Sequence, residues 1–173
     1  MTDENPGQNL QVPTTDKANP HSDQVELLSL SISDQEYAID IMQVREIRNW
    51  SKPTPLPRTP DYVQGVINLR GTVLPVIDLK KRLGLKEEED RKRAVYVVVK
   101  DAGRLFGVTV DGVSDILTVS KEALLDPPEM TDGEVDSCIS GLILEEERMI
   151  RVLAPDRLAP ENVSSAQGAS SEQ

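Results

Sequence analysis

The amino-acid sequence predicts an all-β fold built from many short strands. Apolar residues recur at every second position, turn sequences separate these runs at short intervals, and the helical signals are weak and brief. Such a pattern is typical of a β-sandwich or of small β-barrels. The 173 residues suit one domain, and a hydrophobic content of 38% suffices for a core of ordinary size. Because aromatic residues make up only 3%, that core must consist of valine, isoleucine and leucine.

The predicted strands form three β-hairpins. In the first, "LLSLSI" and "YAIDI" alternate apolar and polar residues around the turn sequence "SDQE". In the second, "RAVYVVVK" and "RLFGVTVDGV" flank the turn "DAG". The third, "SGLILEEERMIRVL", turns through three glutamates at 145–147.

The segment between the first two hairpins contains the least usual sequence. "KPTPLPRTP", residues 52–60, has too many prolines for a helix or a central strand, so we predict an extended connection. "VINLRGTVLPVIDL" then places Arg70 and Gly71 between two apolar strands. Its second strand carries Pro75, which cannot donate a ladder hydrogen bond and is therefore predicted at an edge or a bulge.

The predicted helices are short. Thr59 and Pro60 have the residue types of an N-cap and a first helical position, which favours one helical turn after them. "DLKKRLGL" predicts a turn or two that Gly84 ends. "SKEALL", with Ser120 as N-cap, and "PDRLA" near the end are the remaining helical stretches.

Composition excludes several classes of function. A net charge of −11 and a pI of about 4.6 disfavour binding to nucleic acid or to an anionic membrane surface. The single cysteine, Cys138, excludes an internal disulfide and fits a reducing compartment. No apolar run is long enough to span a membrane, and no signal-peptide core is present. We therefore expect a soluble cytoplasmic protein, with disordered tails at residues 1–22 and 159–173.

The sequence lacks the groups that catalysis requires. His21, the only histidine, falls in the predicted N-terminal tail, so no histidine of the folded unit can activate Cys138. No cysteine and histidine cluster offers a zinc site, and no glycine-rich loop has the spacing that binds phosphate. We predict no catalytic residue, no metal and no cofactor, and we interpret Asp111 as part of a turn.

Four segments resemble the CheW family of bacterial chemotaxis coupling proteins. These are "EYAIDIMQVREI", "TPDYVQGVINLRGTVLPVIDL", "FGVTVDGVSDIL" and "ISGL", in the family's order and spacing. The resemblance implies two intertwined five-stranded barrels of the SH3-like type within residues 23–158. The first barrel would comprise about 23–48 and 113–158, and the second about 49–112.

The resemblance also implies a function without chemistry. Proteins of this family bind the membrane-distal cytoplasmic tip of chemoreceptors and the C-terminal regulatory domain of the kinase CheA, so a location at membrane-associated receptor arrays is expected. The residues expected to bind the receptor are Val44, Glu46, Asn68, Leu69 and Arg70, with Val44 and Leu69 as apolar contacts. For Val44, burial in the core is an equal alternative.

Arg70 is the most informative of these residues. A guanidinium near a junction between barrels needs an acidic partner, for which Glu46 is favoured over Asp78 and Asp40. Alternatively, Arg70 could bind the carbonyl groups of its own turn. Gly65 and Gly71 are predicted to give the backbone the freedom that a turn requires.

Two other functions remain open from the residues alone. One is a small acidic β-barrel that binds a ligand or acts as an interaction module outside chemotaxis, which the charge and the few aromatic residues disfavour. The other is an enzyme using carboxylates such as Asp78 and Asp111, which the absence of a histidine or lysine partner in the same motifs disfavours.

Overall fold

The computed structural model describes residues 23–86, 93–127 and 136–160. Predictions for residues 1–22, 161–173 and His21 therefore lie outside the described residues. The described chain contains eleven strands and two four-residue helices. In order they are β1 Gln24–Ile32, β2 Gln35–Asp40, β3 Val44–Asn49, β4 Val63–Leu69, β5 Thr72–Asp78, α1 Leu79–Arg82, β6 Val95–Asp101, β7 Arg104–Val110, β8 Gly112–Ser120, β9 Leu124–Leu125, β10 Ile139–Glu145, β11 Arg148–Leu153 and α2 Pro155–Leu158.

The strands form two sheets, which confirms the all-β prediction. The first sheet has the order β8-β1-β2-β11-β10-β9, and the second has the order β3-β6-β7-β5-β4. The three predicted hairpins are the antiparallel pairs β1–β2, β6–β7 and β10–β11. The chain starts in the first sheet, passes into the second and returns, so the two are intertwined as the resemblance implies. Neither α1 nor α2 is long and apolar enough to cross a membrane.

Several boundaries differ from the prediction. The chain leaves the first sheet at the short 3₁₀ turn Ile41–Gln43, so β3 belongs to the second sheet rather than to the first barrel. The two-residue strand β9 gives the first sheet six strands instead of five. At the other end Ala159 is buried in the core, so the folded unit extends past residue 158.

The helix predicted after Thr59 is wrong. Asp61 and Tyr62 form a turn that leads directly into β4, and the Thr59 hydroxyl donates to the Leu56 carbonyl instead of capping a helix. The other helical predictions are confirmed in part. Gly84 follows α1 with a φ of 66°, and Ser120 accepts a hydrogen bond from the Glu122 N–H of a 3₁₀ turn.

Pro75 lies in β5, which is an interior strand, so the predicted edge position is wrong. The predicted bulge is close by, since the pairing of β4 with β5 is irregular between Val63 and Gly65, opposite Ile77 and Val76. Val66, opposite Pro75, exchanges both of its backbone hydrogen bonds with Thr54, so it makes none with Pro75. The nitrogen of Pro75 therefore faces β7, where the parallel ladder begins only at the next residue, Val76. The missing N–H thus costs no ladder hydrogen bond.

Three apolar clusters stabilise the fold. The largest lies between the two sheets and joins residues such as Leu30 and Ile39 of the first to Val97 and Phe106 of the second. Each sheet also encloses a smaller core of its own. Because the largest cluster is shared, neither sheet keeps its full core without the other.

Asp111 links the two sheets by polar contacts. It follows β7, and its carboxylate accepts a hydrogen bond of 2.8 Å from the Ser33 N–H in the β1–β2 turn. The same carboxylate lies 2.9 Å from the Lys80 ammonium group of α1. The predicted turn role of Asp111 therefore extends to a connection between both halves of the molecule.

We expect Asp111→Ala to lower the free energy of unfolding by about 1–2 kcal/mol, because it removes an ion pair and a hydrogen bond to a backbone N–H. Asp111→Asn is the matched control, since it keeps an acceptor for Ser33 and loses only the charge. Urea unfolding of both variants measures the difference, and equal stability of Asp111→Ala and the unchanged protein would contradict this role.

Candidate functional site

The predicted site residues lie around a gap between the two edge strands of the second sheet. Strands β3 and β4 are at opposite ends of the strand order and make no ladder with each other. Between them is a cleft of about 130 Å³ whose lining includes Asn49 and Asn68. We call this region the seam. Thr54, in the connection between the two strands, closes part of it by pairing with Val66 of β4.

The turn between β4 and β5 forms one end of the seam. Leu69 pairs with Thr72, so Arg70 and Gly71 are the two central residues of the turn. Their φ values are 51° and 87°, as in a type I′ turn, where Asn-Gly is the favoured sequence. The Asn68 side chain accepts a 2.8 Å hydrogen bond from the Gly71 N–H.

Arg70 is an unusual residue for this position. An L-residue with a side chain in the left-handed region costs about 1–2 kcal/mol, which asparagine or glycine tolerates better. The Arg70 side chain is nevertheless 78% exposed, so burial does not explain its presence. The exposed guanidinium is accessible to a partner, whereas the positive φ is shared with other turn residues such as Arg58 and Glu146.

Glu46 of β3 is the partner of Arg70, as predicted. Arg70 Nη1 donates to Glu46 Oε2 across the seam over 3.1 Å. Arg48 Nε lies 4.0 Å from the other oxygen of the same carboxylate. Because the Arg70 side chain is mostly exposed, although that of Glu46 is only 21% exposed, the pair contributes about 0–1 kcal/mol to folding. The two weaker candidates for pairing with Arg70 accept other hydrogen bonds. Asp40 accepts one from the Met42 N–H, and Asp78 accepts one at the N-terminus of α1.

The apolar residues of the predicted site differ in exposure. Leu69 is 6% exposed and packs inside the second sheet, so it cannot be the exposed contact that was predicted. Strand alternation explains this, because the exposed Asn68 and Arg70 flank it. Val44 is half-buried and packs against the central cluster. Its position is therefore intermediate between the two alternatives, an exposed receptor contact and burial in the core.

Two exposed apolar residues near the seam were missed. Val73 is 42% exposed and lies directly opposite Asn68 in the β4–β5 hairpin. Ile47 is 47% exposed on the edge strand β3. A two-residue turn at Arg70 and Gly71 fixes the register, so the pairing of Asn68 with Val73 was accessible from the sequence.

Gly65 lies within β4 rather than in the turn predicted for it. The register of β4 against β5 shifts between Val63 and Gly65, where φ is 145°. A Cβ atom there would lie 2.1 Å from the Thr54 carbonyl oxygen. Gly65 therefore allows the connection before β4 to approach the strand closely.

The chemistry of this surface suits binding. It offers a guanidinium, an amide and aliphatic side chains, and the described residues contain no group of three or more potential metal ligands. The carboxylate of Asp78, considered above for catalysis, is buried and accepts hydrogen bonds from the Lys80 and Lys81 N–H groups. Asp111 has the structural contacts described above.

Comparison with known proteins gives one consistent result. Residues 26–162 match the family model described as "CheW-like domain". The chain is 44% identical to chemotaxis protein CheW of Rhizobium meliloti over 135 residues, which covers 78% of this chain and 87% of that protein. It is 36% identical to chemotaxis protein CheW of Bacillus subtilis, covering 73% and 81%.

A solved structure agrees with these sequence relatives. The scaffolding protein TtCheW from Thermoanaerobacter tengcongensis superposes with a TM-score of 0.73 at 28% identity. The superposition covers 83% of this chain and 97% of that one. The residues matched by the family model, 26–162, include the seam and all strands except the first two residues of β1.

Proposed function

This chain belongs to the CheW family, and on that basis we propose that it is a chemotaxis adaptor that couples chemoreceptors to the histidine kinase CheA. The family match from residue 26 to residue 162 carries this proposal, because it spans both sheets. Relatives named chemotaxis protein CheW and a solved relative titled scaffolding protein support the same function.

The receptor-binding surface in this proposal is the turn end of the seam. Arg70, Glu46 and Asn68 supply its polar groups, and Val44 with the newly found Val73 supplies apolar area. Leu69 contributes only indirectly, because its side chain is buried in the second sheet and anchors the turn there. Two observations support this surface: the exposed guanidinium of Arg70, and aliphatic side chains beside it, which suit the apolar face of a helix.

The kinase is proposed to bind through its C-terminal regulatory domain, by strands of each barrel pairing with the related barrel of CheA. The exposed edges β3 and β8 are compatible with such pairing, since each has a neighbour on only one side. The protein would then be cytoplasmic and located at receptor arrays through its partners, with no membrane insertion of its own.

The alternative of an acidic β-barrel module outside chemotaxis is not favoured, since the relatives reported above are chemotaxis proteins. Enzymatic activity is disfavoured by the structural roles of Asp78 and Asp111. A pull-down with a receptor cytoplasmic fragment and CheA separates these functions, because only the adaptor predicts a ternary complex. Failure to recover CheA with the receptor fragment in the presence of this protein would contradict the proposal.

An adaptor that acts by binding should work stoichiometrically. We expect receptor-coupled autophosphorylation of CheA to rise with added protein and to level off as its amount approaches that of its partners. A phosphotransfer assay at fixed receptor and kinase measures this. Full activation at strongly substoichiometric amounts would indicate turnover and contradict a purely binding role.

A further inference from the structure

Met42 is the most exposed large apolar side chain among the residues that the structure describes. It is 87% exposed, whereas Met149, the other methionine among those residues, is 43% exposed. The receptor surface proposed above does not include Met42. Methionine is a flexible apolar side chain that suits binding surfaces, and its thioether sulfur is open to oxidation.

The backbone on both sides of Met42 is fixed. Met42 is the middle residue of the 3₁₀ turn through which the chain passes from the first sheet into β3. Its N–H donates to the Asp40 carboxylate over 2.9 Å, and the Val44 N–H donates to the Ile41 carbonyl. Ile41 packs against the central cluster. The turn therefore presents the Met42 side chain to solvent from a fixed position.

This position lies at the turn end of the seam. Glu46 contacts Arg70 in the turn between β4 and β5, and β3 runs from there along the cleft, which Asn49 lines. Residues that precede Glu46 therefore lie at the turn end. The Cα atoms of Met42 and Val44, two residues apart, are separated by at most about 7 Å. The thioether is thus beside an apolar contact proposed for the receptor.

We infer that Met42 is an oxidation site that controls receptor binding, and this inference rests on the receptor surface proposed above. As a thioether, the side chain adds apolar area beside Val44, which suits the apolar face of a helix. As a sulfoxide, it carries a polar oxygen that loses water when a helix covers it. Burial of a polar group without a hydrogen-bond partner is unfavourable, so oxidation lowers the affinity.

The oxidant is a peroxide such as hydrogen peroxide. The sulfur lone pair of Met42 attacks one peroxide oxygen, an S–O bond forms as the O–O bond breaks, and the other oxygen leaves as water after a proton transfer. The sulfur loses two electrons and the peroxide gains them. A thiol-dependent methionine sulfoxide reductase reverses the change. The only cysteine, Cys138, is buried, so the Met42 sulfur is the more accessible of the two.

Peptide mass mapping after treatment with hydrogen peroxide tests the site itself. We expect the sulfoxide to form at Met42 before Met149, because the Met42 side chain is the more exposed of the two. Slower oxidation of Met42 than of Met149 would overturn the inference. This measurement requires neither the receptor nor the kinase, so its outcome is independent of the proposed function.

Binding to a receptor cytoplasmic fragment tests the control of affinity. Protein oxidised at Met42 should bind about tenfold more weakly than untreated protein, and a methionine sulfoxide reductase with a thiol should restore the affinity. The effect of peroxide should disappear in Met42→Leu, which keeps an apolar side chain without a thioether. It should persist in Met149→Leu, the matched control.

Two results would overturn the control of affinity. One is equal affinity before and after complete oxidation of Met42, and the other is the same loss of affinity in peroxide-treated Met42→Leu, which would assign the effect to another residue. Absence of binding by untreated protein is a different result, because it contradicts the proposed receptor surface and therefore also its control by oxidation.

Discussion

Replacing Gly65 with valine should lower the melting temperature of this protein by about 10 °C or more, the shift expected from about 3–5 kcal/mol in a domain of this size. A Cβ atom at residue 65 would meet the Thr54 carbonyl oxygen at 2.1 Å and the carbonyl carbon at 2.6 Å. These are backbone atoms, so no side-chain rotation relieves the clash. Valine must also adopt a φ of 145°, which L-residues rarely do.

The expected structural consequence is loss of the pairing between Thr54 and Val66. Both hydrogen bonds of that bridge would break if the connection moved away from β4. The polypeptide that closes the seam would then be displaced, and binding to both receptor and kinase should weaken with it. Circular dichroism during heating gives the stability, and the pull-down described above gives the binding.

Gly71→Val is the matched control for this prediction. Its φ of 87° imposes the same kind of backbone strain, but no atom lies within 4 Å of a Cβ built there. We therefore expect a loss of about 1–3 kcal/mol from the conformation alone. A larger loss in Gly71→Val than in Gly65→Val would show that the close approach to Thr54 has no importance for stability.

The strands that form local hairpins were predictable because their signals are local. Alternating apolar residues and a turn of two or three polar residues suffice to define β1–β2, β6–β7 and β10–β11. The helix α1 was equally accessible, because Asp78 caps its beginning and Gly84 follows its end.

The pairing of strands that are distant in sequence was harder to predict. The interior position of β5 results from a parallel ladder with β7, more than 25 residues later in the chain, that begins one residue after Pro75. Proline in a strand predicts an edge or a bulge. Here the backbone groups of Val66, opposite Pro75, make their hydrogen bonds with Thr54 instead, so an interior proline is tolerated. The transfer of β3 to the second sheet likewise depends on its pairing with β6.

The site was predicted best where it depended on charge. The pairing of Arg70 with Glu46, 24 residues apart in sequence, is confirmed, because a guanidinium beside a turn needs a carboxylate, which the opposite edge strand β3 supplies across the seam. The burial of Leu69 was misjudged, because it depends on which face of β4 points inward.

The largest functional effect is expected from Arg70→Asn. Asparagine adopts positive φ more readily than arginine, and Asn-Gly is the favoured sequence for this turn, so the melting temperature should stay the same or rise. The variant nevertheless loses the guanidinium of the proposed receptor surface. We expect binding to a receptor cytoplasmic fragment to weaken by at least about tenfold, as for charged residues that dominate an interface. Arg48→Asn is the control, because it removes another guanidinium near Glu46.

A cycle with Glu46→Ala then shows how Arg70 acts. If the carboxylate serves to hold the guanidinium across the seam, each single change weakens receptor binding and the double change costs clearly less than their sum. Because the pair is exposed at Arg70, the same cycle measured by thermal unfolding should give a coupling of only about 0–1 kcal/mol. Strict additivity in receptor binding would mean that the two side chains act separately. Arg70 would then contact the receptor directly, with its position set by the strained turn rather than by Glu46.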